Sequence, residues 1–114
     1  MPMDVQGAIS IATHDEFDAW LRAHGTDKRE VIVAIYKKAS AQQSVTFVAL
    51  QEAALCHGWV DTQTKSIDDE RYAIRFVPRR PRSNWSATNR AMARRMLDVG
   101  RLTTEGIAML PSDL

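Results

Sequence analysis

Arginine is concentrated in the stretch 78–86, where a phosphate or carboxylate group would find several cationic partners. Prolines stiffen this loop, and the loop leads directly into a predicted helix. A guanidinium group binds such anions through two parallel hydrogen bonds, and a helix N-terminus favours an anion through its unpaired N–H groups. The pattern predicts an anion-binding site, although the same arginines could instead form ion pairs that only stabilise the fold. The residues that carry this prediction are Arg79, Arg80, Arg82, Ser83 and Ser86.

Two tryptophans flank the arginine-rich loop and allow two interpretations. If they are exposed, Trp59 and Trp85 would stack on a base, a sugar ring or a guanidinium group. If they are buried, as most tryptophans are, they would only pack in the core. Asp61 follows Trp59 by two residues on a predicted strand, so both side chains should face the same side. Its carboxylate is either a general base, a hydrogen-bond acceptor or an ion-pair partner of an arginine such as Arg75.

The cysteine and histidine residues do not form a recognisable catalytic or metal-binding pattern. Cys56 and His57 are adjacent in a predicted helix, where neighbouring side chains diverge by about 100°, so they should not form a nucleophilic pair. Cys56 is better interpreted as a small buried apolar residue. His14, His24 and His57 lack the spacing of metal ligands, with one another and with Cys56. We therefore expect no metal and no cofactor.

Charge is unevenly distributed along the 114 residues, although the formal net charge is only +1. Residues 1–70 carry 6 Lys and Arg against 11 Asp and Glu, whereas residues 71–97 carry 8 Arg and no acidic residue. The single cysteine permits no internal disulfide bond, and no segment approaches the roughly 20 apolar residues of a membrane span. The first residues also lack a basic segment followed by an apolar run. We expect a cytoplasmic protein without membrane insertion.

The first half of the chain contains clear helix and strand signals. Thr13 and Glu16 form a capping-box pattern that predicts a helix ending near Gly25. The apolar, β-branched run Val31–Tyr36 predicts a strand buried on both faces. Thr46 should cap a second helix that runs to about residue 57.

The second half predicts two strands and two helices. A strand should begin near Trp59, and residues 68–70 should form a turn. A second strand, antiparallel to the first, should follow over Tyr72–Val77. Ser86 should cap a helix over about Ala87–Val99, which packs through Met92, Met96 and Val99, and Thr103 should cap a short final helix. The expected fold is α+β, with a small mixed three-stranded sheet, a βαβ crossover, an N-terminal helix and two C-terminal helices. We expect a flexible N-terminal arm at 1–12, with a short extended piece at Ala8–Ala12, and a single domain at 13–114.

A longer motif resembles a known family. It consists of the run 54–61, ALCHGWVD, followed by Lys65, Asp68, Tyr72, Arg75-Phe76, Pro78-Arg79, Ser83-Asn84-Trp85-Ser86 and Asn89, and it continues through Gly100-Arg101-Leu102 and Gly106. With this motif the chain resembles the YdeI/OmpD-associated family, also called the bacteriocin-protection family, over about residues 13–110. It departs from the family pattern at His57 and Thr62, where many relatives have an aromatic residue and a glycine.

The resemblance implies a small bacterial α+β protein linked to stress tolerance, to protection against bacteriocins or cationic peptides, and to a porin. The leading hypothesis is a non-enzymatic protection protein that binds an anionic ligand or a partner protein. One alternative is a nucleic-acid-binding protein that uses the same surface, and another is a small hydrolase-like enzyme with Asp61 as the base. No other catalytic residue is predicted. The predicted ligand-binding residues are Trp59, Asp61, Lys65, Arg75, Arg79, Arg80, Arg82, Ser83, Trp85, Ser86 and Asn89.

Overall fold

The computed structural model describes residues 3–42, 45–81 and 83–114. No helix within these ranges is both long and apolar enough to cross a membrane. The elements, in chain order, are a 3₁₀ helix at Val5–Gly7, β1 (Ile9–Ser10), α1 (His14–His24), β2 (Val31–Tyr36), α2 (Phe47–Cys56), β3 (Trp59–Ser66), β4 (Arg71–Pro78), α3 (Ala87–Asp98) and α4 (Thr104–Ala108).

The four described strands form one mixed sheet in the order β1-β2-β4-β3. β1 pairs with β2 in parallel, whereas β4 is antiparallel to both of its neighbours, β2 and β3. β2 and β3 therefore run in the same direction, as expected for strands joined by a helix, but β4 lies between them. The predicted α+β class is confirmed.

The predicted count of three strands is wrong, because β1 adds a fourth. Ile9 and Ser10 pair with Val33 and Ala34 of β2, within the segment predicted as a flexible arm. Met3, in the same segment, is only 8% exposed. The extended piece expected at Ala8–Ala12 contains this strand. A strand of two residues shows no alternation of apolar and polar side chains, so only its pairing with β2 identifies it as a member of the sheet.

One face of the sheet carries the main hydrophobic core. Alternate residues of each strand point to this face, as the two-residue period of a strand requires. Helices α1 and α2 cover it, so the core is a sheet packed against a helical layer. The main contributors are Phe17 and Leu21 from α1, Leu50 and Ala53 from α2, and Val33, Trp59, Ile74 and Phe76 from the sheet.

The opposite face of the sheet, which we call the second face, is covered only in part. Met3 packs there against Ile32 and Ala73. Farther along β4, towards its C-terminal end, Arg75 and Val77 lie on the same face, and their side chains are only half-buried. This end of the second face is therefore open to a ligand.

The C-terminal helices pack against α2 rather than against the sheet. Leu55 and Cys56 of α2 form a second cluster with Met92 and Met96 of α3. Val99, predicted to belong to this packing surface, is 63% exposed. That prediction is wrong because α3 ends at Asp98, and Val99 is already the residue that follows the last turn.

Two glycines permit a close approach between α2, β3 and α4. Gly58 joins α2 to β3 with φ of +79°, a left-handed conformation that favours glycine. Gly106 of α4 lies so close to α2 that an added Cβ would be 2.2 Å from the carbonyl oxygen of Cys56. The Thr103 hydroxyl donates a hydrogen bond of 2.7 Å to the same oxygen. The beginning of α4 is thereby fixed against the end of α2.

Candidate functional site

A groove of about 840 Å³ opens on the uncovered end of the second face. β3 and β4 provide its base, and the loop after β4 together with the loop between α1 and β2 provides its sides. Its polar residues come from all four segments. We call it the arginine groove, after the polar residues that line it: Arg29, Thr62, Arg75, Arg79, Arg80 and Ser83.

Arg75 lies in the groove with its charge already compensated. Its Nε donates to a carboxylate oxygen of Glu30 at 2.6 Å, and its Nη1 donates to the Thr62 hydroxyl at 3.2 Å. A bulge between Asp61 and Gln63 inserts Thr62 as an extra residue in β3, which brings its hydroxyl to Arg75. Arg75 is therefore held rigidly, but it adds little net positive charge to the groove.

Arg79 anchors the loop that follows β4. Its side chain is 6% exposed, and its guanidinium carbon lies 3.8 Å from the centre of the Trp85 ring. Nη1 donates to the Ser83 hydroxyl at 2.9 Å and to the Asn84 carbonyl oxygen at 3.4 Å. Burial lowers the pKa of Arg79, and the nearby Asp61 carboxylate opposes this effect. An arginine starts from so high a pKa that it stays charged at neutral pH.

Arg29 and Arg80 supply the uncompensated charge of the groove. Both side chains are exposed, and neither has an acidic partner among the residues that the structure describes. Arg29 was not predicted as a site residue, because it lies in the acidic first half of the chain, about fifty positions from the arginine-rich loop. Only the folding of the α1–β2 loop beside β4 brings it to the groove.

The structure places Trp59 in the core, so the prediction that it stacks on a ligand is wrong. Trp59 is 1% exposed and packs edge-on against Trp20, with ring centres 5.8 Å apart. It occupies the core face of β3, where α1 covers it. Trp85 is half-buried, and Arg79 covers one face of its ring. Trp59 and Trp85 therefore pack beneath the groove and against Arg79, respectively, and they do not offer a free stacking surface to a ligand.

Asp61 and Asn89 lie behind Arg79 and do not line the arginine groove. They border a separate cavity of about 10 Å³, which is the size of a single water molecule. Asp61 accepts a hydrogen bond of 3.2 Å from the Gln51 side chain. Its carboxylate is thus placed to balance the buried charge of Arg79, and a ligand in the groove does not reach it.

Two further predicted residues, Ser86 and Lys65, do not line the groove. The Ser86 hydroxyl accepts the Asn89 N–H at 3.1 Å and caps α3, and Ser86 does not line the groove. Lys65 is exposed on β3, beyond the groove lining. Arg82 lies outside the residues that the structure describes. Of the predicted residues, Arg75, Arg79, Arg80 and Ser83 come together in the groove.

A second polar cluster joins α1 to the end of α2. His57 is 8% exposed, and its Nε2 lies 2.7 Å from an oxygen of Asp18, which also accepts a hydrogen bond from Arg22 at 2.9 Å. Burial alone would raise the pKa of Asp18, but the hydrogen bonds from His57 and Arg22 outweigh it and lower this pKa. The sequence gives no local signal for this pair, because the two residues are 39 positions apart.

Cys56, next to His57, is buried as predicted. Burial raises the pKa of its thiol to about 11, so the thiol stays protonated at neutral pH. Within the described ranges, no three His, Cys, Asp or Glu side chains come close enough to hold a metal ion. Neither observation provides a reactive group near the arginine groove.

Comparison with known proteins assigns the chain to a family without assigning a function. No curated protein and no solved structure matches it. The resemblance to the YdeI/OmpD-associated family has no counterpart in these comparisons and stays a prediction. One family model, described as a domain of unknown function, matches residues 9–109, from β1 to just past α4. Because this match spans most of the 114 residues, the chain belongs to the family with that description, DUF8412.

Proposed function

We propose that the protein binds a small anionic ligand in the arginine groove. The observation that supports this most directly is the pair of exposed arginines, Arg29 and Arg80, without acidic partners among the described residues. They line a groove of about 840 Å³ whose described lining contains no carboxylate. Two like charges held on one concave surface attract an anion and gain from its binding.

The remaining polar groups of the groove favour recognition of phosphate or carboxylate oxygens. Arg75 and Arg79 are held in place by Glu30 and Trp85, so little conformational freedom is lost when a ligand contacts them. The hydroxyls of Thr62 and Ser83 lie in the same lining and add hydrogen-bonding capacity. This preorganisation is typical of a binding site.

The chemistry of the lining supports binding rather than catalysis. Among the residues that the structure describes, those that line the groove include no Asp, Glu, His, Cys, Lys or Tyr. Arginine stays protonated in proteins, and hydroxyls need a neighbouring base to take part in proton transfer. Asp61, the one candidate base, lies behind Arg79 beside a cavity with room for one water molecule. The enzyme alternative therefore lacks an acid–base group at the groove.

The protective role implied by the YdeI/OmpD resemblance remains part of the proposal in a restricted form. A groove with excess positive charge repels cationic peptides, so direct capture of such peptides in this groove is unfavourable. Protection would have to act through an anionic metabolite or through an acidic surface of a partner protein. Of these two ligands we favour the small anion, because a concave groove encloses a small molecule better than it contacts the surface of a partner protein.

The nucleic-acid alternative is supported by the positive charge of the surface but not by base stacking. Trp59 is buried and Arg79 covers one face of Trp85, so the expected stacking on bases is weakened. Exposed Lys65 pairs in register with Ala73, on the second face, and extends the positive charge along β3. Contacts with phosphates alone would give binding that depends steeply on salt and little on sequence.

The proposal can be tested with the double variant Arg29→Gln/Arg80→Gln. Isothermal titration with inorganic phosphate at low ionic strength should show a Kd for the variant raised about ten-fold or more, since two charge-assisted contacts are lost. The matched control is Arg94→Gln/Arg95→Gln, which removes the same charge from the exposed side of α3. Equal weakening in both variants would show that binding is non-specific. If the unaltered protein binds no anion, the proposal fails.

A further inference from the structure

The base of the arginine groove is apolar, although the base lies on an exposed face of the sheet. Val60 of β3 and Val77 of β4 lie opposite each other in register. Their chain neighbours Trp59 and Phe76 are buried in the core, so the two valines point to the second face. Both are only half-buried. Two β-branched side chains thus form an open apolar surface beside several cations.

Two prolines extend this surface. Pro78 follows Val77 at the end of β4 and is half-buried. Pro81 lies in the arginine-rich loop and is exposed. Both line the groove together with Val60 and Val77. We call these four residues the apolar base. An inorganic anion bound by the arginines would leave the apolar base in contact with water.

We infer that the ligand is an amphipathic organic anion, with a phosphate or carboxylate group at the arginines and an aromatic or aliphatic part on the apolar base. This inference rests on the proposed function and specifies its ligand class. A volume of about 840 Å³ greatly exceeds that of a phosphate ion. It lies within the range of roughly 300–1,000 Å³ that is typical of sites for larger organic ligands.

The geometry explains why both parts are needed. The free charges of Arg29 and Arg80 hold the anionic group at the sides of the groove. The paired valines form an apolar surface, which suits a ring or a short aliphatic chain better than a polar group. Covering this surface removes apolar area from water on both the protein and the ligand.

The test compares anions that differ only in their apolar part. Methyl phosphate and phenyl phosphate are both dianions at pH 8, and acetate and benzoate form a second pair with a carboxylate group. Titration calorimetry at constant ionic strength should give a Kd for the aryl member about ten-fold lower than for the methyl member. The pair that binds more tightly identifies the anionic group as phosphate or carboxylate.

Variants of the apolar base locate the effect. Val77→Thr keeps the β-branching of the side chain but replaces a methyl group with a hydroxyl, so it should weaken phenyl phosphate binding several-fold and weaken methyl phosphate binding much less. Val60→Thr should do the same, which covers the possibility that one variant is unstable. Val99→Thr is the matched control, because Val99 is 63% exposed and does not line the groove.

The outcomes separate this inference from the proposed function. If methyl and phenyl phosphate bind equally, and acetate and benzoate do as well, the protein is an anion binder and the inference about the apolar part is wrong. If the aryl compounds bind more tightly but both threonine variants retain the difference, the apolar part lies elsewhere and the inference is also wrong. If none of the four anions binds, the proposed function itself fails.

Discussion

Arg79 determines where the loop after β4 lies. Its buried guanidinium group contacts Trp85, Ser83 and the Asn84 carbonyl, and its backbone N–H donates to the Gly58 carbonyl at 2.8 Å. A cation without these contacts would be costly to bury. Arg79 thus acts mainly as a structural anchor, and it holds the neighbouring Arg80 at the groove.

We predict that Arg79→Met lowers the free energy of unfolding by about 2 kcal/mol, because the cation–π contact and two hydrogen bonds are lost while the aliphatic volume remains. Urea denaturation followed by tryptophan fluorescence would measure the effect. The matched control Arg80→Met changes an exposed side chain and should stay within about 0.5 kcal/mol. Equal effects of the two substitutions would contradict the anchoring role of Arg79.

Asp18 provides a pH-dependent contribution to stability. Its pKa is lowered in the folded protein from an ordinary value of 3.8. A carboxylate with a lowered pKa stabilises the fold above its unfolded-state pKa, and this contribution disappears as the pH falls through the folded-state pKa. The stabilisation should therefore be fully present at neutral pH and vanish only in acid.

For Asp18→Asn we expect a loss of roughly 1 kcal/mol at pH 6, since a partly exposed carboxylate loses its bonds to His57 and Arg22. The difference between wild type and variant should shrink as the pH is lowered from about 5 towards 2. Urea denaturation at a series of pH values measures it. A difference that stays constant down to pH 2 would show that the carboxylate charge of Asp18 is not responsible.

At the level of elements, the contact between α2 and α4 depends on the absence of a side chain at Gly106. The helix α4 is only five residues long and would not be stable alone. Its first turn is capped by Thr103, whose hydroxyl accepts the Gly106 N–H at 3.2 Å and also donates to Cys56. The contact with α2 therefore provides the stability that so short a helix lacks by itself.

We predict that Gly106→Ala destabilises the protein by about 2–3 kcal/mol, although alanine is favoured over glycine in a helix by about 1 kcal/mol. The added methyl group would overlap the Cys56 carbonyl oxygen. Gly100→Ala is the comparison: Gly100 has φ of +71° but no neighbour within 4 Å of an added Cβ. It should cost about 1 kcal/mol from backbone strain alone. Thermal denaturation of both variants and of the wild type would measure these effects. A Gly106→Ala variant that is more stable than the wild type would contradict the tight α2–α4 contact.

Sequence patterns predicted the elements better than the site. The four predicted helix caps, Thr13, Thr46, Ser86 and Thr103, each accept the expected backbone hydrogen bond. A cap requires only residues three positions away, so a local pattern is sufficient. Arg29 could not be found in this way, because its place in the groove depends on the packing of a loop against a distant strand.

At the level of the whole molecule, the distribution of charge matters more than its sum. The net charge is only +1, yet the groove collects arginines from two distant parts of the chain. Interactions at an exposed site are screened within about 10 Å at 0.1 M salt, so the local charge governs binding. Glu30, from the acidic first half of the chain, compensates Arg75, whereas Arg29 and Arg80 have no acidic partner among the residues that the structure describes.

Salt dependence should distinguish a small anion from a nucleic acid. Raising NaCl from 0.05 to 0.5 M should weaken phenyl phosphate binding several-fold, because only one anionic group is held. A single strand that contacts several phosphates would lose affinity far more steeply, with a slope in log–log form of about −0.7 per contact. Fluorescence anisotropy with a labelled ten-nucleotide strand provides the comparison. Tight binding of this strand with a slope steeper than about −2 would favour the nucleic-acid alternative.

The sequence by itself determined the helix caps, the buried strand Val31–Tyr36 and the α+β class, because these follow from neighbouring residues and from the period of apolar side chains. It also located the arginine-rich loop. The tertiary structure decided which arginines keep a free charge, since Glu30 reaches Arg75 across 45 positions and Arg79 is buried on Trp85. The tertiary structure also buried Trp59 and brought Arg29 and Arg80 to the same groove. These outcomes depend on which distant surfaces pack together, and a local pattern does not contain that information.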